Sequence, residues 1–314
     1  MISLDIAVTP VKGVNVVWQL FPFALIGVAG GLVGATVNAT WKMLLRKGWL
    51  RPPNPRRQHW KAHVRVVLML SLLTTAVAFW APLVLEGACV NNAKLETGSG
   101  DGISSSVRRQ DFRFNCAVNQ TNEVAYVFFE GREKVIKALL EQGVPSGTAK
   151  AANPFAADNP ELSTVALATG FFGFLVLMVL TFGTAIPSGI FMPTIFAGCC
   201  GGSLLGRAMI AWLTTARMPH LGVFALIGAV ALLGGIQRSS VSLVVIILEG
   251  TGEVQFVLPI IVTTVMATWV GNSFNHGVYE MVLEAKKLPF LEVRPSSVRV
   301  VALVPDIFIS SCVH

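Results

Sequence analysis

The chain has 314 residues, 53% of them hydrophobic and 13% charged, with a formal net charge of +7. Soluble globular domains carry about 25% charged residues, so the composition argues against a soluble enzyme and for a membrane protein. Charge is missing in blocks: Gly13–Trp41, Val66–Leu85, Leu162–Gly206 and Val254–Tyr279 contain no Asp, Glu, Lys or Arg, and each reaches the roughly 20 residues that span a bilayer.

From the N-terminus, Met1–Lys12 lacks the basic start and short apolar core of a cleavable signal, so no leader is predicted. Trp18 to about Leu45 is predicted as the first span or helical hairpin. Its glycines at spacings of four, Gly27/Gly31 and Gly30/Gly34, leave a flat face for a close-packed neighbour. Arg46, Lys47, Arg51, Arg56, Arg57, Lys61 and Arg65 then crowd into a segment broken by Pro52, Pro53 and Pro55. Clustered cations in one short loop mark a cytoplasmic connection and not a nucleic-acid surface. His59 and His63 have the i, i+4 spacing of metal ligands but neither the acid nor the third ligand of a metal site. No metal, no cofactor and no catalytic pair is predicted.

Val66–Leu85 crosses back, and Glu86–Glu161 is polar by contrast. If the basic loop is cytoplasmic, this segment is lumenal or extracellular. Cys89 and Cys116 are then free to pair in an oxidising compartment, and Asn119-Gln-Thr121 matches a glycosylation acceptor. Asn38-Ala-Thr40 matches too but lies inside an apolar run. Asn122–Leu140 reads as one amphipathic surface helix.

Leu162–Gly206 runs 45 residues without a charge, too long for one straight span at about 1.5 Å per residue. Pro187-Ser-Gly-Ile-Phe-Met-Pro193 interrupts it, so two helices meet at a break within the membrane. Irregular backbone at that depth is buried in protein or lines a cavity. A helix restarting at Ile190 or Phe191 offers unpaired amides and a partial positive end, Pro193 suits its first turn, and Gly189 permits close approach. That combination suits an anion that must also leave, although an ordinary proline-kinked span has the same pattern. Gly198–Arg207 is glycine-rich without the lysine of a phosphate loop, so helix packing explains it. Further apolar helices are predicted over Leu221–Gln237, Ser239–Leu248 (short, bracketed by Arg238 and Glu249) and Val254–Val270, with Pro259 inside the last. Tyr279 follows; its hydroxyl can serve either as an interfacial anchor or as a neutral donor to an anion.

Taken in order, these motifs resemble the CLC chloride channel and chloride/proton exchanger family. Leu20–Ala35 is similar to the helix before the family's basic cytoplasmic linker, and Phe114-Asn-Cys116 with Phe128-Phe129 to the lumenal loop of eukaryotic members. Pro187–Pro193 running to Gly206-Arg207 carries the Gly-x-Phe-x-Pro signature. Ala225–Arg238 with Ser242–Glu249, and Val270–Asn275 with Gly277-Val-Tyr279 and Pro289–Glu292, complete the match.

The resemblance implies an all-α polytopic membrane protein. Residues 1–295 would form the second inverted-repeat half of a CLC-type membrane domain, with broken helices meeting at the bilayer midplane and a polar loop at about 86–161. Residues 296–314 would be a cytoplasmic linker before CBS domains. It further implies chloride held at Gly189, by the Ile190 and Phe191 amides and by the Tyr279 hydroxyl, with exchange for protons in some members. A homodimer would form through Val241–Glu249 and Val254–Trp269, in an organellar (endosomal, lysosomal or vacuolar) membrane. The family's Gly-Ser-Gly-Ile-Pro and gating-glutamate segments and its proton-relay glutamate are not found in this sequence. The chain therefore reads as a fragment, which either transports anions as part of a larger assembly or acts only by associating with full-length subunits. An unrelated secondary transporter with a broken helix is the third reading.

Overall fold

A computed structural model describes residues 16–46, 60–85, 89–91, 114, 116–117, 120–140, 162–182, 189–213, 221–251 and 256–286. The apolar blocks become helices: α1 (Val16–Arg46), α2 (Trp60–Val84), α5 (Thr164–Thr181), α6 (Phe191–Leu213), α7 (Leu221–Gln237), α8 (Ser240–Thr251), α9 (Val257–Phe274) and α10 (Val278–Lys286). Among the described residues between α2 and α5 are two short strands, β1 (Cys89–Asn91) and β2 (Gln120–Asn122), and two short helices, α3 (Glu123–Phe129) and α4 (Arg132–Leu140). Five helical runs among the described residues are long and apolar enough to cross a membrane, so the chain is a multi-pass integral membrane protein. Residues Met1–Gly277 form one compact unit and Val278–His314 a second. The expected linker at 296–314, Asn119 and the side chains of His59 and His63 lie outside the described residues.

The first apolar block is one continuous helix with Pro22 near its start, not a hairpin. Pro22 falls in the second turn, where its lost N–H removes at most one helical bond. The centre of the larger unit is α7, all 17 residues of which are buried. A helix that is apolar on every side can only be stable surrounded, and α1, α6 and α9 surround this one.

Close approach is achieved by glycine. A Cβ on Gly30 would fall 2.6 Å from the Ala231 carbonyl carbon, and one on Gly198 2.5 Å from Ala229 Cα. The other α1 pair points elsewhere: Cβ atoms on Gly27 and Gly31 would fall 2.8 Å from Thr263 O and 2.7 Å from Ala267 O on α9. The expected flat face is therefore two faces, one packing on α7 and one on α9. Between helices in lipid, small residues raise van der Waals contact where no hydrophobic drive exists.

The polar segment is clamped onto the spans. Strands β1 and β2 pair antiparallel with Cys89 opposite Asn122, and Cys89 and Cys116 form a disulfide with a Cα–Cα distance of 5.8 Å. The predicted amphipathic helix from Asn122 to Leu140 is instead α3 and α4, separated at Glu130-Gly131. Asn122 stands before α3 and caps it: its Oδ1 accepts from Val124 N (3.0 Å) and Ala125 N (3.1 Å), while its Nδ2 donates to Pro82 O (3.0 Å) at the end of α2. A side chain that bonds its own downstream amides favours the cap over the helix interior. Phe114 bridges the same elements, meeting Phe79 of α2 and stacking on Phe129 of α3.

The disulfide closes a separation of 27 residues, which the chain-entropy relation values at about 3.5 kcal/mol. Replacing Cys89 by Ser should lose on that order from the local stability of the clamp. Replacing both cysteines should cost no more than replacing one. Limited proteolysis of the polar segment, with and without reductant, checks both expectations.

Candidate functional site

Helix α6 starts at Phe191, as the break predicted, and Ile190 occupies the cap position. The Ile190 carbonyl accepts both the Thr194 N–H (3.1 Å) and the Thr194 hydroxyl (2.7 Å), the first bonds of the helix. The amides ahead of that bond have no partner within the helix, and Pro193 in the first turn has no N–H to satisfy. No acidic residue stands in the first turn, so no side chain of α6 itself neutralises the positive end of the helix. Gly189 is exposed, and a Cβ there would meet nothing within 4 Å. Ile190 is buried and Phe191 half-buried.

The head of α6 is held by its neighbours. The Thr194 hydroxyl lies 3.2 Å from Met178 Sδ on α5, and Phe196 packs against Phe174 with ring centroids 4.4 Å apart. Phe174 in turn stacks on Phe128 of α3 at 5.4 Å, with the Arg132 guanidinium 5.5 Å from its centroid. On the other side, Gly198, Gly202 and Gly206 seat α6 on α7, as the helix-packing reading of that glycine run expects. A Cβ on Gly206 would lie 2.7 Å from Phe224 Cβ. Packing on both sides holds the head of α6 in one position.

The structure thus brings Gly189, Ile190 and Phe191 together at one helix head. Tyr279 is the second residue of α10, in the first turn beside Glu280. It belongs to the second unit. Cys89 and Cys116 form the disulfide the sequence left open. Cys199 and Cys200 are free, buried packing residues in α6, and among the described residues no group of His, Cys, Asp or Glu could hold a metal ion.

One constellation escaped the sequence reading. Asn38, deep in α1 and fully buried, donates from Nδ2 to Ile236 O (3.2 Å) and His276 O (3.4 Å). Asn275, the C-cap of α9, donates from Nδ2 to Ala35 O (2.7 Å) and accepts from Arg238 Nη2 through Oδ1. Arg238 Nε also donates to Gly235 O at 3.3 Å. The only advance signal was a lone Asn within an apolar run.

A family model for the voltage-gated chloride channel matches residues 5–272. Chloride channel protein CLC-d of Arabidopsis thaliana is 30% identical over 278 residues, covering 88% of this chain and 33% of that protein. CLC-a of the same plant is 32% identical over 279 residues, and the H(+)/Cl(-) exchange transporter 7 of Rattus norvegicus 31% over 271. The chain spans about a third of the length of these relatives. In fold it is similar to a solved eukaryotic CLC transporter (TM-score 0.53, 20% identity, 88% of this chain and 38% of that one). A slow cyanobacterial Cl-/H+ antiporter is likewise similar (TM-score 0.52, 18% identity, 88% and 49%). With the family signatures in order, the glycine-packed helices in place and most of its length matched, the chain belongs to the voltage-gated chloride channel family.

Proposed function

We propose that the chain contributes one side of a chloride site to a CLC-type channel or chloride/proton exchanger. The ligands are the Ile190 and Phe191 amides at the head of α6 and the Tyr279 hydroxyl. The observation that carries this reading is the α6 head: a helix start within an apolar block, free of acidic residues and rigidly seated on α5 and α7. Partial charges of this kind bind an anion while letting it go, whereas a full cation would retain it. No cofactor takes part; the ligand is chloride.

Further parts of the reading rest on separate features. The outward apolar side chains of α8 and α9, among them Val241, Val245, Val265 and Trp269, are exposed and suit a second copy of the subunit. The disulfide-bearing polar segment suits the oxidising side of a membrane, in keeping with an organellar compartment. Because the chain spans about a third of the relatives it matches, a second reading has support. In it the chain does not conduct alone and acts through association with longer subunits.

Reconstitution into chloride-loaded liposomes tests both. Efflux from the chain alone, faster for chloride than for gluconate and lowered by Tyr279→Phe, is the result expected of a self-sufficient transporter and sinks the second reading. Chloride binding without efflux is the result the second reading expects. Absence of both binding and efflux contradicts the anion site itself.

A further inference from the structure

Helix α7 ends in a residue that its backbone does not favour. Arg238 has φ of +60°, and its N–H donates to Gly234 O at 3.1 Å, the single-bond left-handed C-terminal cap that glycine normally occupies. A residue with a Cβ adopts this conformation only against a steric cost that glycine does not bear. The Arg side chain must return something that glycine cannot.

What it returns is a tie to the connector after α9. The guanidinium donates to Gly235 O in the last turn of α7 and to Asn275 Oδ1, so one planar fork joins the two helix ends. Asn275 passes the tie to α1 by donating to Ala35 O. Asn38, one turn further along α1, donates both to Ile236 O of α7 and to His276 O of the connector. Gly277 completes the fit: a Cβ there would lie 3.4 Å from Gln237 O and 3.6 Å from Arg238 Cβ. The connector 275–277 is therefore bonded at two consecutive residues and closely packed at the third. The helices that hold it, α1 and α7, are themselves locked by glycine contacts. A planar guanidinium fork loses little freedom per hydrogen bond formed, which suits it to this task better than lysine.

We propose that Asn38, Arg238 and Asn275 form a polar clasp that acts as a positioning device for Tyr279. The clasp fixes the three residues from which α10 starts, and Tyr279 is the second residue of that helix. A donor on a short helix is aimed only as well as the point where the helix begins. A fixed connector turns a mobile tyrosine into a presented hydroxyl. The inference rests on the reading of Tyr279 as an anion ligand, but the clasp itself is testable without chloride.

The chain has two tyrosines, Tyr126 and Tyr279, so 3-fluorotyrosine labelling gives two 19F resonances, assigned by Tyr126→Phe. The full chain in nanodiscs is measured first without chloride and then through a chloride titration, with thermal unfolding in parallel. Arg238→Gly relieves the left-handed conformation while deleting the fork. It is expected to keep or raise the unfolding temperature, yet to broaden the chloride-free Tyr279 line at least twofold or split it, and to weaken its chloride response about tenfold. Asn275→Ala should broaden the same line, and it carries the test if the glycine variant does not fold. Arg238→Lys, which keeps the charge but not the planar fork, should fall between Arg238→Gly and the parent.

A Tyr279 line of unchanged width in both Arg238→Gly and Asn275→Ala overturns the clasp. A parent line that is narrow but indifferent to chloride overturns the ligand role of Tyr279 instead. The two failures are therefore read from different columns of the same experiment.

Discussion

Tyr279→Phe is expected to weaken chloride binding about 10- to 100-fold while leaving the unfolding temperature within a degree or two. A hydrogen bond to a charged partner contributes about 1.5–3 kcal/mol, and phenylalanine removes the hydroxyl with almost no change in shape. Isothermal titration with chloride, on the chain in nanodiscs, reads the difference. An interfacial anchoring tyrosine would behave otherwise: its loss would leave binding unchanged and shift only the depth of α10 in the bilayer.

The second large effect concerns the scaffold. Gly202→Leu should abolish a monodisperse, folded protein, because a Cβ at Gly202 would lie 2.8 Å from Gly228 Cα and neither backbone can yield without separating α6 from α7. Overpacking typically costs 1–3 kcal/mol. Here the added side chain meets the backbone of α7, which is buried along its whole length, so roughly the upper end of that range or beyond is expected. Gly131→Ala is the control: nothing lies within 4 Å of its Cβ, and size-exclusion profile and unfolding temperature should not move. The functional consequence follows from the packing, since the same α6–α7 contact holds the head of α6.

How much of this could be read from the sequence depended on the range of the forces involved. The restart at Phe191 was legible because proline and glycine punctuate a helix through local sterics alone. The limits of α7 were legible too, since charge resumes at Arg238 just beyond Gln237. The pairs Gly27/Gly31 and Gly30/Gly34 announced close packing, yet not that they serve two different neighbours. Spacing gives a face, and only the tertiary arrangement gives its partner.

Asn122–Leu140 went astray for a local reason. Apolar periodicity continues through the segment, but the Asn122 side chain caps α3 from outside it, and the chain leaves the helix at Glu130 and restarts after Gly131. The clasp was hidden for the opposite reason. Asn38 and Ile236 are 198 positions apart, and Asn275 and Ala35 240, so no window of sequence contains both partners. In isolation Asn38-Ala-Thr40 looked like a glycosylation pattern to be set aside. Burial with two backbone acceptors gives that asparagine a different purpose.

The proposed function stands or falls on an anion held at the head of α6. A crystal of the chain grown in bromide, with data collected at the bromine absorption edge, tests it most directly. An anomalous peak is expected within hydrogen-bonding distance of the Ile190 and Phe191 amides, displaced by excess chloride and lost in Tyr279→Phe. A bromide site elsewhere, with no density at the α6 head under the same conditions, would contradict it.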